Sequence, residues 1–256
     1  MIRLSICADT VFLDLPFEER VQRIAEAGFW VEFWGWRERN LSTFDNPDIQ
    51  VSGMSGTRKG SLVHPDGLKT LIADVEETAA VANQLQCKDL ILVTGELGPN
   101  GEVIHPIAQH PATRWITAYK GLCRIAEIAE KHDVVYCLEH LNTKIDHAGY
   151  CLPHVEDAVR LVQEIDSPRI KILLDLYHAQ VEEGNIIQLI RDYHEYIGYI
   201  HVADVPGRHE PGTGEMNYPH IAQTLREVGF NGAVGLEAFP VRDSYEAMDR
   251  FREAFA

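Results

Sequence analysis

Short apolar runs alternate with amphipathic segments along most of the chain. The apolar runs are nearly continuous, which is typical of parallel strands buried on both faces. They predict strands over 3–8, 29–34, 49–53, 89–94, 134–139, 170–175, 197–203 and 233–237. Apolar residues at helical spacing between them predict helices over 17–27, 67–85, 113–132, 155–165, 184–191, 218–228 and 244–255.

The pattern is irregular after the second strand. Residues 37–47 are too polar and too few for a regular helix, and the strand over 49–53 is weak. The second helix is therefore expected to be shortened or absent. Residues 95–111 form a long segment without a clear element, which we expect to lie over one end of the sheet.

Eight strand–helix units in 256 residues predict a single-domain α/β fold over 1–256, a (β/α)8 TIM barrel. The alternative is an open, doubly wound sheet. That fold usually has a glycine-rich phosphate turn after its first strand, and Asp9-Thr10-Val11-Phe12 is not such a turn. The barrel is therefore favoured.

The net charge of −16 makes nucleic acid an unfavourable partner, because a phosphate backbone would be repelled. No 20-residue apolar run and no signal-peptide pattern is present, so we expect a soluble, cytoplasmic protein that does not enter a membrane. The five cysteines are never spaced C-x-x-C, which indicates neither a disulfide framework nor a thiolate zinc site. A homo-oligomer is left open.

Four predicted strands end in residues that can bind a metal, namely Glu139, Asp175, His201 and Glu237. Their separations of 36, 26 and 36 residues each advance about one strand–helix unit, which is ~31 residues in such a barrel. A Glu or Asp alone could instead cap the next helix or pair with a Lys at the barrel mouth, and a His alone could be a hydrogen-bonded core residue. Together they predict an oxygen-rich site for a divalent ion such as Mg²⁺, Mn²⁺ or Co²⁺.

Glu139 and Glu237 are expected on strands five and eight, facing each other across a ligand. Two opposed carboxylates suit proton transfer next to a carbonyl, with a metal stabilising the enediolate oxygen. His178 is expected either to contact substrate or to begin a helix. Arg208 is expected to bind a substrate carboxylate, with Glu210 holding it or forming a surface ion pair. Trp34 is expected to form the floor of a pocket or to pack in the core.

The motifs EHLNT at 139–143, LLDLYHAQ at 173–180, HVADVPGRHEPGTGEMNY at 201–218 and GLEAFP at 235–240 resemble the hydroxypyruvate isomerase group. That group belongs to the xylose isomerase-like barrels, with ketose 3-epimerases, inosose dehydratases and endonuclease IV. The resemblance implies catalytic roles for Glu139 and Glu237, metal binding by Asp175, and substrate contacts by His178 and Arg208. His201 is a departure, since the hydroxypyruvate branch often has Gln there, whereas the epimerases have His.

The leading hypothesis is an aldose–ketose type isomerase acting on a small hydroxy-keto acid or sugar. A ketose 3-epimerase is the first alternative, although such epimerases usually have a further Glu where this chain has Ile145. A dehydratase comes next. Endonuclease activity conflicts with the charge of −16. The non-enzyme alternative is a sugar-binding barrel.

Overall fold

The computed structural model describes residues 2–104 and 109–256. Eight parallel strands pair in chain order, and the last also pairs with the first, so the sheet closes into a barrel. The strands are β1 Arg3–Cys7, β2 Trp30–Phe33, β3 Val51–Ser55, β4 Asp89–Leu92, β5 Val135–Glu139, β6 Ile170–Asp175, β7 Ile197–Val202 and β8 Ala233–Leu236. The expected (β/α)8 barrel is confirmed, and the open sheet is wrong because β1 and β8 are hydrogen-bonded neighbours.

Helices connect the strands. Over the described ranges they are α1 Phe17–Glu26, α2 Pro65–Gln84, α3 Pro111–His132, α4 Val155–Ile165, α5 Leu176–Glu182, α6 Ile186–Tyr193, α7 Tyr218–Glu227 and α8 Ser244–Phe255. None of them has the length and apolarity needed to cross a bilayer.

Three units differ from or refine the sequence pattern. As expected, β2 is followed by a short 3-10 helix, Leu41–Asp45, instead of a regular α-helix. Strand β3 begins two residues later than predicted. Helix α5 was not predicted; it begins directly after β6 because the Asp175 side chain accepts the N–H of His178 at 2.9 Å.

The barrel interior explains why the candidate ligands lie together. Side chains two residues apart on a strand point to the same face of a sheet. Cys137, Leu173 and Tyr199 belong to a small buried cluster separate from the main core. The residues two positions later on the same strands are Glu139, Asp175 and His201, so they form the next layer toward the carboxyl ends.

Candidate active site

The carboxyl ends of β5 to β8 bring together the four residues expected to bind a metal. Glu139 and Asp175 end their strands, His201 is the next-to-last residue of β7, and Glu237 directly follows β8. One ligand atom from each lies within 4.8 Å of the others, and all four residues are buried. The register pairs His201 with Asp175, so the two residues lie at the same level along the barrel.

His201 Nδ1 is at the centre of this group. It lies 3.4 Å from Glu139 Oε1, 3.5 Å from Glu237 Oε2 and 3.8 Å from Asp175 Oδ2, yet makes no hydrogen bond of good geometry within the part of the chain that the structure describes. Burial alone would lower the pKa of His201, but the surrounding carboxylates, Glu32 foremost, raise it well above its usual value. Arg208 pairs with two of these carboxylates, Glu237 and Asp175. Three buried carboxylates need more positive charge than one guanidinium supplies, either a proton on Nδ1 or a metal ion, so this donor set fits a divalent metal.

Glu32 holds the other side of the His201 ring. Its Oε1 lies 2.8 Å from His201 Nε2, and its Oε2 accepts a hydrogen bond of 2.7 Å from the Tyr199 hydroxyl. That hydroxyl is 2.9 Å from Ser52 Oγ, which is 2.5 Å from Ser5 Oγ. A chain of buried polar groups thus fixes the ring and leaves Nδ1 facing the three carboxylates.

The two glutamates have different surroundings. Burial raises the pKa of Glu139 to about 7, more than His201 lowers it. Burial also opposes ionisation of Glu237, but Arg208, His201 and Trp34 outweigh it and lower its pKa. Arg208 Nη2 donates to Glu237 Oε2 at 2.5 Å, and Trp34 Nε1 donates to Oε1 at 2.7 Å.

His178 is fully buried in α5 and faces the same space. Asn142 Oδ1 accepts the N–H groups of Ile145 and Asp146, so its Nδ2 is the donor to His178 Nδ1 at 2.7 Å. Burial holds the pKa of His178 well below its usual value, so the ring is neutral. The proton of the neutral ring is therefore on Nε2, which has no hydrogen-bond partner among the described residues and can donate to a ligand.

A cavity of about 610 Å³ opens over these groups. Its lining includes Glu139, His201, Glu237, His178, Arg208, Trp34, His147, Tyr177, Ile145, Arg58, Lys59 and the segment 95–101. Residues 95–101 of the expected 95–111 loop therefore form one wall. His147 secures this wall, because its Nδ1 donates to the carbonyl of Gly101 at 2.6 Å. In a neutral ring, His147 Nε2 is then a hydrogen-bond acceptor, and it has no partner among the described residues.

The expected substrate contacts divide into two groups. Trp34, His178 and Arg208 line the cavity. Glu210 does not belong to the described lining, and the expectation that it holds Arg208 is wrong: its Oε2 accepts the N–H of Val241, whereas Arg208 pairs with Glu237 and Asp175. The turn after β7 directs the two side chains to different partners.

Sequence reasoning missed the roles of Glu32, Asn142 and His147. Glu32 carried a signal, since it is a charged residue inside the apolar run FWVEFW. Asn142 lies in the EHLNT motif, but its contact with His178 depends on how the loop after β5 meets helix α5.

Comparisons with known proteins identify the family of this chain. The family described as xylose isomerase-like TIM barrel matches residues 22–254. A 2-oxo-tetronate isomerase of Pectobacterium atrosepticum is 30% identical, over 90% of this chain and 89% of its own length. The hydroxypyruvate isomerase of Escherichia coli K12 is 32% identical, over 94% of each chain.

Among solved structures, the chain is similar to one titled AP endonuclease, family 2, from Brucella melitensis. The TM-score is 0.88 with 26% identity over 99% of each chain. The chain therefore belongs to the xylose isomerase-like TIM barrel family, in its hydroxypyruvate isomerase-like branch, and is an isomerase.

Proposed function

We propose that this protein is a metal-dependent isomerase that interconverts the aldehyde and ketone forms of a small hydroxy-keto acid or sugar. The observation that carries the proposal is the pair of buried carboxylates, Glu139 and Glu237, on either side of His201 Nδ1 at 3.4 and 3.5 Å. Glu139 ends β5 and Glu237 directly follows β8, and both line one cavity, so both can reach one small ligand.

Glu139, Asp175, His201 and Glu237 would hold the ion, with Mg²⁺, Mn²⁺ or Co²⁺ favoured by the three carboxylate donors. Support comes from the buried His201 Nδ1, which faces those carboxylates and has no hydrogen-bond partner among the described residues. When bound, such an ion polarises a carbonyl and stabilises negative charge on its oxygen.

The chain's own groups supply the proton transfers. One glutamate removes the proton from the hydroxyl-bearing carbon next to the carbonyl, which gives an enediolate, and return of a proton to the former carbonyl carbon completes the isomerisation. The opposed glutamate is placed to move a proton at the oxygens. His178 can donate its Nε2–H to a substrate oxygen, because the buried ring is neutral and the carboxylate oxygen beside it, Asp175 Oδ2 at 3.6 Å, is beyond hydrogen-bond distance.

Ketose 3-epimerisation is the second candidate, and the presence of His201 favours it. The further Glu that these epimerases usually carry is replaced here by Ile145, which lines the cavity and offers no carboxylate. Isomerisation is therefore preferred. We do not propose DNA cleavage, because a net charge of −16 would repel a phosphate backbone.

The test is isomerisation of hydroxypyruvate and of small ketoses in D₂O, after Mn²⁺ is added to metal-stripped protein. We expect activity that depends on Mn²⁺, with deuterium entering the carbon next to the carbonyl. Glu139→Gln should lose at least about 100-fold in kcat while remaining folded. Glu183→Gln is the matched control, because its carboxylate accepts the N–H of Val155 outside the cavity. Metal-independent turnover, or full activity of Glu139→Gln, would refute the proposal.

A further inference from the structure

His147 is a buried histidine in the loop after β5, and the proton transfers described above do not use it. Its side chain lines the cavity and is only 5% exposed. Its ring lies 5.1 Å from the ring of His178, centroid to centroid, at an interplanar angle of 56°. The two rings therefore lie beside one part of the cavity, where neighbouring oxygens of one small ligand can contact both.

The contacts of His147 fix both its backbone and its ring. The backbone N–H donates to the carbonyl of Asn142 at 3.1 Å, and the backbone carbonyl accepts the N–H of Tyr150 at 2.9 Å. Nδ1 of the ring donates to the carbonyl of Gly101 at 2.6 Å. Gly101 has a φ of +81°, and a Cβ there would lie 2.9 Å from His147 Cε1, so only glycine allows this close approach. A ring held in this way loses little further freedom when a ligand binds.

His147 and His178 offer hydrogen-bonding groups of opposite kind. The proton of the His147 ring is on Nδ1, so its Nε2 is an acceptor, and no partner for it occurs within residues 2–104 and 109–256. His178 has the opposite tautomer and presents Nε2–H as a donor. Burial lowers the pKa of both rings, so each is neutral. His147 can therefore accept a hydrogen bond without removing the proton that it receives.

A hydroxyl group fits this donor–acceptor pair. A hydroxyl both donates and accepts hydrogen bonds, whereas a carbonyl oxygen only accepts them. The aldehyde and the ketone form of an isomerase substrate both carry a hydroxyl on the carbon next to the carbonyl. Glu237 already accepts from Trp34 and Arg208. The uncharged Nε2 of His147 is thus an acceptor that is still open to this hydroxyl.

We propose that His147 is a specificity-determining residue whose Nε2 accepts a hydrogen bond from the hydroxyl on the carbon next to the substrate's carbonyl. His178 donates its Nε2–H to the neighbouring oxygen. This inference rests on the proposed isomerase function and assigns a further residue to it. His147 selects ligands with this hydroxyl over analogues that have hydrogen in its place, because a buried acceptor left without a donor weakens binding.

Two amide variants separate the two nitrogens of His147. His147→Asn puts an amide N–H near the position of Nδ1, so the contact with Gly101 can be kept, and it has no atom at the position of Nε2. His147→Gln brings its amide oxygen near the position of Nε2 and gives up the contact with Gly101. His154→Asn is the matched control, since His154 is an exposed histidine outside the cavity lining.

The experiment is calorimetric titration of each Mn²⁺-loaded protein with ligands that differ only in this hydroxyl. D-glycerate is paired with D-lactate, and xylitol is paired with 1-deoxy-D-xylitol. None of the four has an aldehyde or keto group, so binding is measured without turnover. Isomerisation of hydroxypyruvate and of small ketoses is assayed separately on the same proteins.

We expect wild type and His154→Asn to bind the hydroxylated member of at least one pair about tenfold more tightly than its deoxy partner. In His147→Asn this preference should fall below about twofold, because affinity for the hydroxylated ligand drops and affinity for the deoxy ligand does not. His147→Gln should keep a preference of about threefold or more, because its amide oxygen can accept from the hydroxyl.

No preference of wild type in either pair, or a preference that His147→Asn keeps, would overturn the inference. An equal loss in His147→Asn and His147→Gln would also overturn it, because His147 would then act only by holding Gly101. Wild type that isomerises no substrate, but has a preference that His147→Asn loses and His147→Gln keeps, would refute only the isomerase proposal.

Discussion

The contact between Glu32 and His201 leads to a test of the proposed role of His201 as a metal ligand. Glu32 is fully buried and accepts from two donors, His201 Nε2 at 2.8 Å and Tyr199 Oη at 2.7 Å. Glu32→Gln keeps the shape of the side chain and removes its charge. The Gln oxygen can still accept from His201, and its NH₂ can donate to Tyr199, whose hydroxyl then donates to Ser52.

The expected magnitude follows from that geometry. Since both hydrogen bonds can be kept, the fold should tolerate the change, and the main loss is the charge that strengthens His201 as a donor to a metal. Removing such an outer carboxylate typically weakens metal affinity by ~10–100-fold, which is about 1.4–2.7 kcal/mol. Glu32→Ala should lose more, because it leaves two buried donors without an acceptor.

The assay is calorimetric titration of metal-stripped protein with Mn²⁺, together with urea unfolding. Tyr199→Phe is the matched variant. It removes the hydrogen bond that Tyr199 donates to Glu32 but keeps the Glu32 carboxylate next to His201, so we expect a smaller loss of Mn²⁺ affinity. If Glu32→Gln bound Mn²⁺ as tightly as wild type, the positioning role would be wrong, even if the variant were less stable.

Three further outcomes are expected. Gly235→Ala should weaken Mn²⁺ binding and cost about 1–3 kcal/mol of unfolding free energy, because its Cβ would lie 2.4 Å from Glu32 Oε2; unchanged urea and calorimetry curves would contradict this. Removing the metal with EDTA should lower the thermal unfolding midpoint, since a ligand at 1,000 times its Kd contributes about 4 kcal/mol; equal midpoints would count against a resident ion. Burial raises the pKa of Asp89 to about 6 and outweighs Arg3, which is 3.3 Å away but 40% exposed and therefore screened. The native state then binds more protons than the unfolded state between about pH 4 and 6, so wild type loses stability as pH rises through that window. The free energy of unfolding of Asp89→Asn, measured in urea, should exceed that of wild type by up to about 3 kcal/mol above pH 6 and should equal it below pH 4. A difference between the two proteins that does not change with pH would refute the raised pKa of Asp89.

The sequence determined the barrel and the candidate ligand set. Parallel strands buried on both faces must be nearly continuous apolar runs, so their number and order can be recognised without coordinates. The four ligand-type residues recur at the repeat distance, and their common position at strand ends places them at one end of a closed sheet. The absence of a regular α-helix after β2 could also be predicted from the sequence, because residues 37–47 lack helical periodicity.

The tertiary structure alone decided which side chains meet across the barrel. Periodicity reports which face of an element is buried, but it carries no information on partners 169 residues apart, such as Glu32 and His201. Arg208 and Glu210 are two residues apart in one loop, yet Arg208 turns inward to Glu237 and Glu210 turns to Val241. Hydrogen bonds from distant elements set the loop geometry. The residues that hold the site in place, such as Glu32, could therefore be identified only from the tertiary structure.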